Sequence, residues 1–148
     1  MNFFEFLKEL KGVSPPLNDK YGEWLGYRIE KYDINAGYAK TKLIIREAHL
    51  SPSMAVHGGV ISGFLDFSCG CAVFTQLQRE ALCSTVDLGV KYFKPVKLGD
   101  VIYAEARVVH KGKSLSSVVA ELYQANDENT LYALATGTFN IYIPKQRV

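Results

Sequence analysis

The chain has 148 residues, 48% hydrophobic and 22% charged, with a net charge of +2, which predicts one globular domain over 1–148 with a substantial core. So small a charge leaves no electrostatic footprint for nucleic acid, no apolar run approaches the roughly 20 residues of a membrane span, and Glu5 and Glu9 do not suit a secretory leader. Three cysteines, an odd number, fit a reducing interior better than a disulfide framework and predict a cytoplasmic protein.

In chain order, Asn2 to Lys11 has helical spacing and ends at Gly12, before Pro15 and Pro16, which predicts an amphipathic helix over about 2–11. Glu23 to Ile34 reads as a strand, Asn35-Ala36-Gly37 as a hairpin turn and Tyr38 to Ala48 as the returning strand. A loop through Ser51-Pro52-Ser53 leads to His57-Gly58-Gly59 and a helix predicted over about 59–79. Strands are then expected at Ser84 to Phe93, Val101 to His110, Ser114 to Tyr123 and Leu131 to Ile143, separated by short turns that favour antiparallel neighbours. The expected fold class is α+β, a curved antiparallel sheet wrapped around a long central helix.

That helix is nearly uncharged and apolar on most sides, so it belongs in a core. A lone carboxylate there costs several kcal/mol unless it is needed, and Asp66 is that carboxylate. Its helical neighbours at three and four residues are Ser62, Gly63, Cys69 and Gly70, all small. Interior glycines cost about 1 kcal/mol each relative to alanine. A trough of small side chains around an acid leaves room for a ligand; close packing against a sheet is the alternative.

Gly58 and Gly59 supply the other half of a site. The first N–H groups of a helix lack intrahelical partners, and the dipole favours negative charge at that end. Without side chains, the glycines let a ligand oxygen reach those donors, as in a backbone oxyanion hole. Asp66 lies roughly 10 Å further along the axis than Gly59, too far for one small carbonyl to touch both. Two antiparallel copies of the helix bring the acid of one beside the glycines of the other, so a site shared across a dimer is expected.

Other chemistries find little support. No G-x-S-x-G elbow, Walker motif or dinucleotide glycine pattern is present. Cys69 and Cys71 face different directions on a helix and read as core residues, and His49 and His110 read as surface or satisfied polar residues. No metal and no cofactor are expected.

HGG followed by an apolar helix, with Asp nine residues after the histidine, resembles the hotdog-fold acyl-CoA thioesterases of the phenylacetic-acid-pathway (PaaI) type. The likeness continues through Ser84-Thr85-Val86-Asp87, through Tyr92 to Asp100 and through Lys111-Gly112-Lys113-Ser114. It implies an acyl-CoA substrate hydrolysed to free acid and CoA. The Gly58 N–H would meet the thioester carbonyl, and Asp66 of the other subunit would act as general base or nucleophile. Thr85 would hold the water, and His57 would shape the loop or orient the thioester. Where relatives often carry an asparagine, this chain has Ser51, which puts that assisting role in doubt.

Candidate substrate contacts are Gly59, Ser51, Ser62, Gly63, Cys69 and Gly70, with Lys94, Lys111 and Lys113 drawn from the five lysines near the strand ends where the family binds the CoA nucleotide. The resemblance also implies a homotetramer built from dimers. A non-catalytic acyl-CoA sensor is the alternative reading; the Asp–His pattern of hotdog hydratases is not found.

Overall fold

The structure is a computed structural model that describes residues 19–145; the helix expected over 2–11 lies outside the described residues. The elements are α1 (Lys20–Leu25), β1 (Arg28–Asp33), β2 (Tyr38–Ile44), a 3-10 turn (Glu47–His49), α2 (Gly58–Phe74), β3 (Leu82–Tyr92), β4 (Val101–Lys111), β5 (Leu115–Gln124) and β6 (Ala133–Tyr142). Six strands form one sheet in the order β1-β2-β4-β5-β6-β3, with every neighbouring pair antiparallel. The sheet packs around α2, as expected. Among the described residues no helix is long and apolar enough to cross a membrane.

Small residues on the helix-facing side of the sheet explain how closely α2 sits. Ala104, Ala106, Ala120, Ala133 and Ala135 are essentially buried there. The gap is filled from the helix by Phe64 and Leu65, both fully buried. One polar pair lies within this interface: the Thr41 and Ser68 hydroxyls are 2.6 Å apart, with second bonds to the Ala104 and Phe64 carbonyls. Satisfied in this way, the pair avoids the penalty of buried polar groups.

Three expectations are corrected. Residues 23–25, read as the start of a strand, belong to α1. The Asp19 side chain accepts the Gly22 N–H at the start of that helix, and Gly26 ends it in the left-handed conformation. These caps outweigh the strand-like alternation of the short segment. The central helix stops at Phe74, five residues before Arg79. There the Thr75 hydroxyl bonds back to the Ala72 carbonyl and the Gln76 N–H to that of Val73, tightening the last turn.

His49, expected at the surface or satisfied, is fully buried. Its Nδ1 accepts the Arg46 N–H, the Trp24 ring meets it edge-on, and the Leu25 backbone is the polar group near its other side. Burial, and after it the Arg46 charge, lower its pKa below the ordinary 6.5. The unfolded chain therefore binds this proton more readily than the folded one. The His49 contribution is complete above the ordinary value and is lost as pH falls through the lowered one. The Tm of the wild type is expected to fall between about pH 7 and pH 5. A thermal-melt series on His49→Asn should show a shallower slope, and an unchanged slope would assign the acid sensitivity to other groups.

Candidate active site

The outward face of α2 carries Gly59, Ser62, Gly63, Asp66 and Gly70, none of them buried. They form one stripe at helical spacing, and this is where the structure places most of the predicted trough. Cys69 departs from it: it is fully buried in the core, rotated too far round the helix to face solvent. Burial, and second the charge of Asp66, push its thiol and that of Cys83 up to about 12. Neither thiol supplies a thiolate near neutral pH.

Asp66 is half-buried and accepts a 2.7 Å hydrogen bond from the Thr85 hydroxyl. That contact depends on an irregularity in β3. Thr85 and Tyr92 are seven residues apart, which in a regular strand sends their side chains to opposite faces. A bulge between Thr85 and Asp87 reverses the alternation. Both side chains then face the helix: Thr85 reaches Asp66, and the Tyr92 hydroxyl donates to the Gly58 carbonyl at 3.1 Å.

At the helix start, His57 is the N-cap, and its Nδ1 accepts the Gly59 N–H at 2.9 Å. An accepting Nδ1 places the proton of the neutral ring on Nε2. The His57 carbonyl takes the Val60 and Ile61 N–H groups. The Gly58 N–H has no partner among the described residues, so one helix-terminal donor stays open. The nearest neighbour of a Cβ at Gly58 would be the Tyr92 side chain, at 3.7 Å, whereas one at Gly59 would meet His57 Nδ1 at 3.0 Å. Because α2 is one unbroken helix, Gly58 and Asp66 are separated by about 12 Å along its axis.

Ser51 uses its hydroxyl to hold its own turn, on the Ala55 carbonyl at 3.0 Å and Ser53 Oγ at 2.8 Å. The lysines do not form one cluster. Lys91 and Lys94 lie at the Tyr92 end of β3, with Lys94 stacked 5.7 Å from the Tyr132 ring centre, and Lys97 follows in the loop. Lys111 is at the opposite end of the sheet, in the row Lys111–Ser116–Phe139–Thr85, about 14 Å from Thr85 at ordinary strand spacing. Its ammonium donates to the Gln76 carbonyl just past the end of α2, a favourable place for a cation. Lys113 is exposed in the next turn.

Tyr92 escaped the sequence reading, because only the bulge turns it toward Gly58. Tyr21 escaped it for a related reason. A Cβ at Gly63 would overlap the Tyr21 hydroxyl and lie 3.1 Å from its Cζ, so α1 sets an aromatic side chain into the trough.

Residues 55–130 match the thioesterase superfamily. A protein of Archaeoglobus fulgidus, by name an esterase, is 31% identical over 121 residues, 82% of this chain and 74% of its own. The phenylacetic acid degradation-related protein of Ralstonia eutropha superposes with a TM-score of 0.80 at 29% identity, over 94% of this chain and 99% of that one. Human acyl-coenzyme A thioesterase 13 is 30% identical over 78 residues, 53% of this chain and 55% of its own. A six-stranded sheet around one long helix is the hotdog fold of these structures, and the chain belongs to the thioesterase superfamily as a PaaI-like thioester hydrolase.

Proposed function

We propose that the protein hydrolyses an acyl- or aryl-CoA thioester to the free acid and CoA, at a site shared between two copies of the chain. The observation that carries this is the Asp66–Thr85 pair, which joins the central helix to an edge strand with Asp66 about 12 Å from the open Gly58 donor. Asp66 of one copy takes a proton from water as the water attacks the thioester carbon. The Gly58 N–H of the second copy holds the developing oxyanion. The carbon–sulfur bond then breaks, and CoA leaves as the thiol with the proton that Asp66 took from water, which returns the carboxylate to its starting state. His57 fixes the glycine turn through its bond to Gly59.

The two edges of the sheet support the dimer. β1 is short, charged and irregular between Ile29 and Lys31, features that discourage pairing. β3 is an eleven-residue edge with Val86 59% exposed, a surface that calls for a partner. Antiparallel pairing of two β3 strands about an axis between Leu88 and Gly89 sets Thr85 of one copy opposite Tyr92 of the other. Each Asp66 then approaches the other copy's Gly58. The same pairing turns the Lys94 end of one sheet and the Lys111 and Lys113 end of the second toward the same side of the dimer, about four strand spacings, or about 19 Å, apart. We further propose that the chain acts as one catalytic domain in the cytoplasm, with dimers pairing into a tetramer.

Free-thiol release from aryl-, short- and long-chain acyl-CoAs tests the reading. Turnover on at least one of them is expected, and tight binding without turnover on any would assign a sensor instead. Thr85→Val should lower kcat about 10- to 100-fold, the worth of a hydrogen bond to a charged group, with the fold unchanged by circular dichroism. A kcat within twofold of wild type would remove Thr85 from the reaction.

A further inference from the structure

Tyr21 stands in the trough without belonging to the core. The residue is 51% exposed, and its hydroxyl has no hydrogen-bond partner among the described residues. It is held in place by its neighbours on α1 and just past its end rather than by its own burial. Leu25 is fully buried, Trp24 packs edge-on against His49, and Tyr27 stacks on Phe67 with ring centres 3.3 Å apart. The Tyr27 hydroxyl also bonds to the Asp19 carboxylate that caps α1. A helix pinned on these sides sets the Tyr21 hydroxyl against the Gly63 backbone.

Gly63 lies one turn after Gly59 and one turn before Asp66, on the same outward stripe. The Tyr21 ring therefore rises from the floor of the trough midway along it. The adjacent Trp24 ring, 6.0 Å away and tilted by 30°, extends this aromatic wall. A glycine floor against a flat wall makes a shallow slot. Such a slot accepts a planar or short group and obstructs a linear chain that has to run along the helix.

We propose that Tyr21 is a specificity-determining residue of the acyl pocket, limiting the substrate to compact acyl groups, aryl above all, and excluding long linear chains. This rests on the acyl-CoA hydrolysis proposed above. Gly63 is the matching half of the device, because any side chain there displaces the ring. The wall acts through its bulk, so Tyr21→Phe keeps it and Tyr21→Ala removes it. With the residue half exposed, the alanine variant leaves no core cavity.

The experiment compares kcat/KM for benzoyl-CoA and decanoyl-CoA in wild type, Tyr21→Ala and Tyr21→Phe. Binding of the non-hydrolysable S-benzyl-CoA and S-decyl-CoA is measured by calorimetry alongside. In Tyr21→Ala the decanoyl-to-benzoyl ratio should rise at least about 10-fold, the discrimination available from shape in an apolar pocket, and in Tyr21→Phe it should stay within about threefold. A ratio unchanged in Tyr21→Ala, in an enzyme that hydrolyses the esters, overturns the role of Tyr21 and leaves the hydrolase standing. If the thioethers bind but no ester turns over, hydrolysis is wrong, and the ratio of thioether Kd values decides the fate of the wall. Absence of both binding and turnover in the wild type removes the two readings together.

Discussion

Asp66→Asn is expected to fold like the wild type and to lose about 10²- to 10⁴-fold in kcat, the usual worth of a positioned general base. The amide has the size of the carboxylate, and its oxygen still accepts the Thr85 hydroxyl that now lies 2.7 Å from Asp66. It cannot take a proton from water. Since the rest of the outward stripe is untouched, KM should change far less than kcat, the pattern of an interaction made in the transition state. The Tm should stay within about 2 °C of wild type, as for a near-isosteric change that leaves no buried group unpaired. The check is thiol release under single-turnover conditions, with melting curves on the same preparations. Turnover near that of the wild type would show that water is activated elsewhere than at Asp66.

The helix start and its acid were legible because each breaks a local rule: a glycine pair before an apolar run, and a carboxylate inside it. Such departures from propensity stand out in a sequence. The positions of Ser62, Gly63 and Gly70 followed from helical periodicity alone, yet the same periodicity placed Cys69 on the stripe, and the sheet wraps far enough round α2 to bury it. Elements that depend on capping or on long-range register were harder to read. Asp19 and Gly26 bound a helix of only six residues, too short for its period to show. The bulge in β3 follows from pairing with β6, and without it the alternation sends Tyr92 away from Gly58. The placement of the lysines was not legible either: proximity in sequence to strand ends does not say which end of a sheet each strand presents, and antiparallel order puts Lys94 and Lys111 at opposite ends of one sheet.

Mixing two inactive variants is expected to restore activity, and this distinguishes a shared site from two self-contained ones. Asp66→Asn lacks the base; Gly58→Val keeps the base but fills the approach to its own N–H with a branched side chain. The nearest neighbour of a Cβ at residue 58 is the Tyr92 side chain, at ordinary contact distance, so the valine variant should fold. In a dimer that joins each Asp66 to the other copy's Gly58, a heterodimer of the two has one site with both defects and one with neither. If subunits assort at random, half of the dimers are mixed, and total activity should recover to about one quarter of wild type from a baseline near zero. If each chain carried its own complete site, every site in the mixture would contain a defect and nothing would be recovered. A charge placed on the free edge, Val86→Lys, should abolish the recovery and shift the protein toward monomer in sedimentation, since it puts like charges together at the proposed β3 seam. Recovery that persisted in such a monomer would break the link between the strand edge and the site.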